Sequence, residues 1–335
     1  MKKIMRIVLV VLGIGVVGTS VYFYQLYKNV EQTAHAIFEP LPPAPDAGQD
    51  KTKQPPSAPQ SSPAVGTAQT IPNAQKTQEA EENKAVSILV FGVDKRGTDA
   101  GRSDTIIYLA SNPTLKQTLM FSIPRDTRTQ MADSGKQDKI NHAYAFGGMS
   151  ATVRTVEAFL NTPIDYYVKV DMEGFLNIID SLGGVVVDNA HAFSYEGYRF
   201  EKGKIALDGK KALAYARMRH DDPEGDFGRN KRQQLILQQL MGKSKEISTV
   251  NKLDKVLADI GASVKTNLTF DDMKNLMFHY KSGLDQINVL RINGQGEMIN
   301  GIYYYAVSNE ERSRIKSQID QVLHGAAEAK TAQNS

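Results

Sequence analysis

The chain predicts an α/β domain, a mixed β-sheet flanked by α-helices, set behind one transmembrane helix. Three observations carry that expectation. From residue 85 onward, short apolar runs bounded by Gly, Asp, Asn or Pro interleave with longer stretches of helical spacing. The first three runs are joined by connections that suit an antiparallel meander. Residues 7–27 hold no charged side chain and are long enough to cross a hydrocarbon core as a helix.

The N-terminal part sets the compartment. Lys2, Lys3 and Arg6 precede the apolar run, and Tyr22, Phe23, Tyr24 and Tyr27 close it like an interfacial belt, followed by Lys28. Residues 1–6 are therefore expected in the cytoplasm, and everything after residue 27 outside it, on a single-pass membrane protein. The run is long and lacks a small-x-small exit, so it reads as an uncleaved signal-anchor and not as a cleaved signal peptide. Residues 28–84 are expected to be an extracellular stalk and tether. Within them, residues 39–82 are rich in Pro, Ala, Gln, Ser, Thr and Asn and cannot bury enough apolar surface to fold. Residues 85–323 form the extracellular domain, and residues 324–335 a disordered tail.

Composition narrows the function. The 335 residues carry a formal net charge of +3, too little for nucleic-acid binding, which needs a pronounced basic patch. There is no cysteine, so an extracellular domain of this size must rest on its own core.

The elements follow in order. Strands are expected at 86–93 (VSILVFGV), 105–110 (TIIYLA) and 118–123 (TLMFSI). A helix over 150–160, a strand over 166–170, a helix over 172–182 and a short strand over 185–187 come next. Residues 195–204 read as a hairpin or irregular loop, and 207–215 as a short helix. Asp222-Pro223-Glu224-Gly225 is a turn, with Asp226 as the N-cap of the helix after it. Beyond residue 240, helices are expected over 250–260, 270–279 and 310–322, with strands near 286–292 and 302–306.

The meander gathers charged residues at one edge of the sheet. The end of the first strand carries Asp94, the start of the second Arg102-Ser103-Asp104, and the end of the third Pro124-Arg125-Asp126. A lone Asp near a strand end is usually a turn former. Two carboxylates with two arginines on one edge suit Mg2+, which takes one or two carboxylates plus phosphate oxygens. The stretch YARMRHDDPEGDFGRNKRQQLIL, residues 215–237, adds Arg217, Arg219, Arg229 and Arg232. Arg229, Arg232 and Gln233 share one helical face, and an arginine in a first turn has the wrong sign for the helix dipole unless an anion sits there. A solvated, salt-bridged surface is the competing reading of that stretch. Lys139-Ile140-Asn141 adds a basic loop, followed by His142, which has no second His or Cys at ligand spacing. There is no G-x-S-x-G, Walker loop or G-x-G-x-x-G after a strand. Residues 152–160 and 172–182 each present an apolar helical face, which reads first as core and second as the lining of an apolar slot.

These motifs resemble the LytR-CpsA-Psr family of Gram-positive envelope phosphotransferases. The likeness rests on Phe91-Gly92-Val93-Asp94-Lys95-Arg96, Arg102-Ser103-Asp104-Thr105, Ser122-Ile123-Pro124-Arg125-Asp126-Thr127, Lys139-Ile140-Asn141-His142-Ala143-Tyr144 and the arginine stretch, in order over residues 85–243. The resemblance implies transfer of a glycopolymer, of teichoic acid, capsule or similar type, from a polyprenyl-pyrophosphate carrier to peptidoglycan. It implies that Asp94 and Asp104 hold Mg2+, with Mn2+ as the alternative ion. Arg102, Arg125, Lys139, Arg217, Arg219, Arg229, Arg232 and Gln233 would then surround the pyrophosphate, with Asp94, Asp104, Arg125, Arg217 and Arg219 the catalytic set. Two other functions use the same residues: a non-catalytic regulator that grips anionic polymer, and a polyprenyl-pyrophosphate hydrolase. The paired aspartates favour the enzyme, since a polyanion binder gains nothing from acids at the centre of its basic patch.

Overall fold

A central six-stranded sheet forms the frame, with the order β11-β6-β1-β2-β3-β12. The computed structural model describes residues 24–25, 27–42, 84–94, 101–244, 261 and 263–333. Strands β1 (Val86–Asp94), β2 (Arg102–Asn112) and β3 (Gln117–Ser122) are the expected antiparallel meander. Strand β6 (Tyr166–Asp171) joins β1 in parallel and β12 (Ile287–Leu290) joins β3 in parallel, while β11 (Val264–Thr266) pairs antiparallel with β6, so the sheet is mixed.

Alternation along the strands splits the core across both faces of this sheet. Leu89, Phe91 and Val93 of β1 point to one face, with Ile106 and Tyr108 of β2. That face is covered by Val153, Val156 and Phe159 of α1 (Ala143–Leu160) and by Ile315, Ile319 and Val322 of α6 (Asn309–Gln333). Ile88 and Val90 point to the other face, with Ile107, Leu109 and Met120, under Leu237 and Met241 of α4 (Asp226–Ser244). A second, smaller core lies beside α4. It is built from α2 (Met172–Ser181), β7 (Val185–Asn189), the hairpin β8 (Phe193–Tyr195) and β9 (Tyr198–Phe200), β10 (Gly203–Leu207) and α3 (Gly209–Arg217).

Several elements differ from expectation. Helix α1 begins at Ala143, seven residues ahead of the expected start, and is kinked where Gly147 and Gly148 leave helical geometry. Its apolar face over 152–160 belongs to the sheet core and not to a lipid slot. Strand β13 (Gln295–Ile299) pairs with β14 (Ile302–Ala306) in a hairpin of which only the second strand was expected. A further hairpin pairs β4 (Arg128–Gln130) with β5 (Gln137–Lys139). Helix α5 (Phe270–His279) matches expectation and opens on a capping box, Thr269 with Asp272. The helix expected over 250–260 lies outside the described residues.

The first residues of the expected stalk pack on the domain. Residues 27–37 are helical and dock on the domain, with Ala34 and Ile37 buried. Phe38 bridges to Thr266 at the sheet edge, Glu39 N–H donates to the Thr266 carbonyl at 2.7 Å, and the Tyr167 hydroxyl donates to the Glu39 carbonyl at 2.6 Å. Residues 43–83, the bulk of the expected tether, lie outside the described residues, as do residues 1–23 of the tail and apolar run. Among the described residues, no helix is long and apolar enough to cross a membrane.

Candidate active site

A β-bulge creates the site. Gly92 opposes Thr105, and the next residue, Val93, opposes Ser103, so Asp104 has no residue across from it. Strict alternation would send Asp104 to the face of Ile106 and Tyr108, into the core under α1. The extra residue turns it instead to the face of Thr105 and Ile107, where it lines the same cavity as Val90, Gly92 and Asp94. The glycine at 92 suits the tight crossing, because a Cβ there would lie 3.3 Å from that of Thr105.

Asp104 is held on three sides. One carboxylate oxygen accepts from the Asn141 amide at 2.9 Å, the other lies 3.2 Å from an Arg125 Nη, and its carbonyl accepts from Arg229 at 3.3 Å. Arg125 is presented by a turn in which the Thr127 N–H and hydroxyl both donate to the Pro124 carbonyl, at 2.9 and 2.6 Å. Its Nε is buried without a hydrogen-bond acceptor, 3.6 Å from Asp126 and 3.9 Å from Asp226.

Arg217, at the end of α3, approaches Asp94 at 3.5 Å, and Arg219 lines the cavity just beyond it. Arg229 is almost fully buried, and that burial pushes its guanidinium below the ordinary arginine range. Asp226 in the first turn of α4 offsets the charge, with one oxygen 3.0 Å from each terminal nitrogen. The helix-dipole conflict read from the sequence is thus relieved within the helix itself. Gln233, one turn on, donates to the Ala216 carbonyl at 3.3 Å, and its own buried carbonyl accepts no hydrogen bond.

Behind this polar group the cavity, of about 380 Å³, is apolar. Met172, Phe175 and Ile178 of α2, Leu213 of α3, and Leu237 and Leu240 of α4 line it. Of residues 172–182, those three side chains line the cavity. The sequence reading missed Asp226, which joins Arg125 to Arg229, and the Tyr195, Glu196 and His220 side chains at the cavity wall.

Three expected phosphate ligands lie elsewhere. Arg232 is buried and committed: its Nε donates to the Tyr215 carbonyl at 2.8 Å, and its terminal nitrogens meet Asp222 and the Met218 carbonyl. It braces the 215–222 segment and does not line the cavity. Lys139 pairs with Asp126 at 2.7 Å beside the cavity. Arg102 opposes Asp94 across the ladder, but is exposed and outside the cavity lining. His142 pairs with Asp138 at 3.0 Å, in keeping with a structural role.

Such a site suits an amphiphile with a phosphate head, because guanidiniums gather at the mouth of an apolar slot. Among the described residues, no group of three or more His, Asp or Glu could hold a metal alone. Asp94 and Asp104 in one cavity still fit Mg2+, which keeps waters and substrate phosphates in its remaining positions.

The model of the LytR_cpsA_psr family matches residues 57–321. A relative from Bacillus licheniformis, named polyisoprenyl-teichoic acid–peptidoglycan teichoic acid transferase TagU, is 40% identical over 323 residues, 96% of this chain and 97% of its own. The Bacillus subtilis protein of that name is 41% identical over 324 residues, 96% of both chains. The crystal structure of B. subtilis TagU superposes with a TM-score of 0.59 at 43% identity, covering 72% of this chain and 97% of that one. B. subtilis TagV gives 0.64 at 37% identity, with 72% and 98% covered. A structure of TagT bound to LIIa-WTA gives 0.62 at 29% identity, with 72% and 91% covered. The chain belongs to the LytR-CpsA-Psr family.

Proposed function

We propose that this protein is a membrane-anchored phosphotransferase that moves a glycopolymer of teichoic acid type from a polyprenyl-pyrophosphate carrier to peptidoglycan. One observation carries the reading: Arg125, Arg217, Arg219 and Arg229 converge with Asp94 and Asp104 at the mouth of an apolar cavity. The apolar part would take the prenyl chain and the arginines the pyrophosphate. The names of the TagU relatives support the polymer and the acceptor.

In the proposed step a sugar hydroxyl of the acceptor attacks the phosphorus that carries the glycopolymer. A new P–O bond forms, the bridging bond of the pyrophosphate breaks, and polyprenyl monophosphate leaves. The hydroxyl proton passes to a base among the cavity carboxylates. Arg125, Arg217, Arg219 and Arg229 offset the charge that builds on the leaving phosphate. Mg2+ held by Asp94 and Asp104 would add charge neutralisation on the phosphate oxygens. Residues 7–27 would anchor the protein with its domain on the outer side of the membrane.

The test uses the full chain in detergent with a lipid-pyrophosphate-linked oligosaccharide and Mg2+, with and without uncrosslinked peptidoglycan strands. A transferase releases polyprenyl monophosphate and leaves a phosphodiester-linked sugar on the glycan, slowly unless the acceptor is present. A hydrolase releases lipid phosphate equally in both tubes, and a binding module releases none. Either of the last two results overturns the proposal.

A further inference from the structure

The β13–β14 hairpin presents apolar surface beside the site with no role in the fold. Met298 is 65% exposed and Tyr303 46%, and as cross-strand partners they share one face, while Ile302 lies on the other face with Glu297 and Tyr304. The Tyr303 ring leans on Gly296, where a Cβ would come within 2.8 Å of it, and nearly half of the residue stays exposed. The adjacent Tyr305 is buried and fixes the hairpin. Its N–H donates to the Asp126 carbonyl at 2.8 Å, it bridges to Thr127, and its ring meets Phe227 edge-on at 5.4 Å.

Those anchors belong to the turn that presents Arg125 and to the first turn of α4, which presents Arg229. The Tyr303 hydroxyl senses the same neighbourhood: burial raises its pKa first, and Asp126 and Asp226 raise it further. The strand order sets the direction of approach. Helix α2, which lines the apolar cavity, follows β6 on one side of β1 and β2, and the hairpin leans on the turn after β3 on the other. A lipid in the cavity and a second substrate on the hairpin would thus reach the phosphate group from different sides.

We infer that this hairpin is the acceptor platform, a binding face for the sugar rings of an acetylated glycan strand bearing peptide carboxylates, with Tyr303 the stacking residue. The inference rests on the transfer reading above and names its second subsite. A hexose ring has an apolar C–H face and a polar rim, and a tyrosine offers a matching rigid face with a hydroxyl tip at little entropic cost. Charge fits too. Arg291 is more than half exposed, lies over the Phe227 ring at 4.2 Å and so stands on the side of Tyr305 and Tyr303, with Glu224 4.0 Å away. Its guanidinium complements the carboxylates of stem peptides.

The experiment is binding of uncrosslinked peptidoglycan strands to the full chain in detergent, without lipid substrate, followed by transfer kinetics. Tyr303→Ala should weaken glycan binding about tenfold, the equivalent of the ~1.4 kcal/mol at the upper end for an aromatic contact. It should raise the acceptor KM equally, and leave lipid-substrate affinity and kcat within about twofold. Tyr303→Phe keeps the ring and should keep most of the binding. Hydroxyl-radical footprinting of the unaltered protein needs no variant: saturating glycan should protect Tyr303 and Met298 and not Met277 of α5, which is 54% exposed. Unchanged labelling at Tyr303, or unchanged glycan affinity in a folded Tyr303→Ala variant, overturns the platform. Glycan protection of Tyr303 in a protein that performs no transfer would leave the platform standing and sink the transfer reading instead.

Discussion

Arg232 and Asp222 pair inside the protein, the guanidinium 5% and the carboxylate 0% exposed. The same guanidinium satisfies the carbonyls of Tyr215 and Met218, so it closes the loop that delivers Arg217 and Arg219 to the cavity. Removing one member of a buried pair leaves the other uncompensated, at about 3–5 kcal/mol. Arg232→Met should therefore lower the melting temperature by ~10 °C, and any loss of activity should come together with that loss of stability. A variant that melts like the parent yet loses kcat would return Arg232 to the phosphate clamp.

Arg217 and Arg219 should behave in the opposite way. Both line the cavity, and Arg217 lies 3.5 Å from Asp94. Lysine keeps the charge but loses the planar fork that grips phosphate oxygens in pairs. Arg217→Lys and Arg219→Lys should melt within about 0.5 kcal/mol of the parent, while kcat drops about tenfold for each ~1.4 kcal/mol of lost transition-state contact. Steady-state kinetics beside a thermal melt check this; unchanged rates in both variants would make the stretch an ordinary salt-bridged surface.

The contrast between Arg232 and its neighbours marks what could be read in advance. Helical spacing puts Arg229, Arg232 and Gln233 on one face, but a face spans more than one environment. Arg229 and Gln233 meet the cavity, whereas Arg232 meets the returning 215–222 segment, a tertiary contact that spacing does not encode. The gathering of Asp94, Asp104 and Arg125 was legible, because short connections dictate a meander. The means was not. The bulge that turns Asp104 toward the cavity leaves no compositional mark beyond Gly92. Strand β13, QGEMI, lacks a strand-like apolar pattern and was missed. Its turn, Asn300-Gly301 with φ of 51° and 77°, was the available signal, since Asn-Gly favours a two-residue hairpin.

The metal assignment carries an ordering. Asp94→Asn and Asp104→Asn should each weaken Mg2+ binding in the presence of substrate, because an amide cannot balance a divalent charge. Asp104 also organises Arg125 and Asn141, so its replacement should cost about 1–2 kcal/mol more stability than that of Asp94. Calorimetric Mg2+ titration and thermal melts read the two effects separately. Parent-like metal affinity in both folded variants would remove the ion from these aspartates.

Topology follows from residues 7–27. If they anchor the chain with its domain outside, protease added to intact protoplasts should digest the bulk of the protein and spare residues 1–6. Complete protection would put the domain in the cytoplasm and end the envelope assignment.

The docked N-terminal segment sets where the domain begins. Ile37 is 4% exposed and Ala34 2%, and residues 38 and 39 continue onto the sheet edge at Thr266. A domain started at residue 85 loses these contacts at β11, a three-residue edge strand. Ile37→Ala in the full chain should cost about 2–4 kcal/mol if the segment unfolds with the domain. If it instead peels away alone, the melt should barely move while amide exchange at Thr266 and Glu39 accelerates. In the first case a chain beginning at residue 27 should also melt above one beginning at residue 85, with Lys28 and Glu31 kept as a surface pair at 2.7 Å. Equal melting of the two truncations, with unchanged exchange at Thr266, would mean that the domain does not need the docked N-terminal segment.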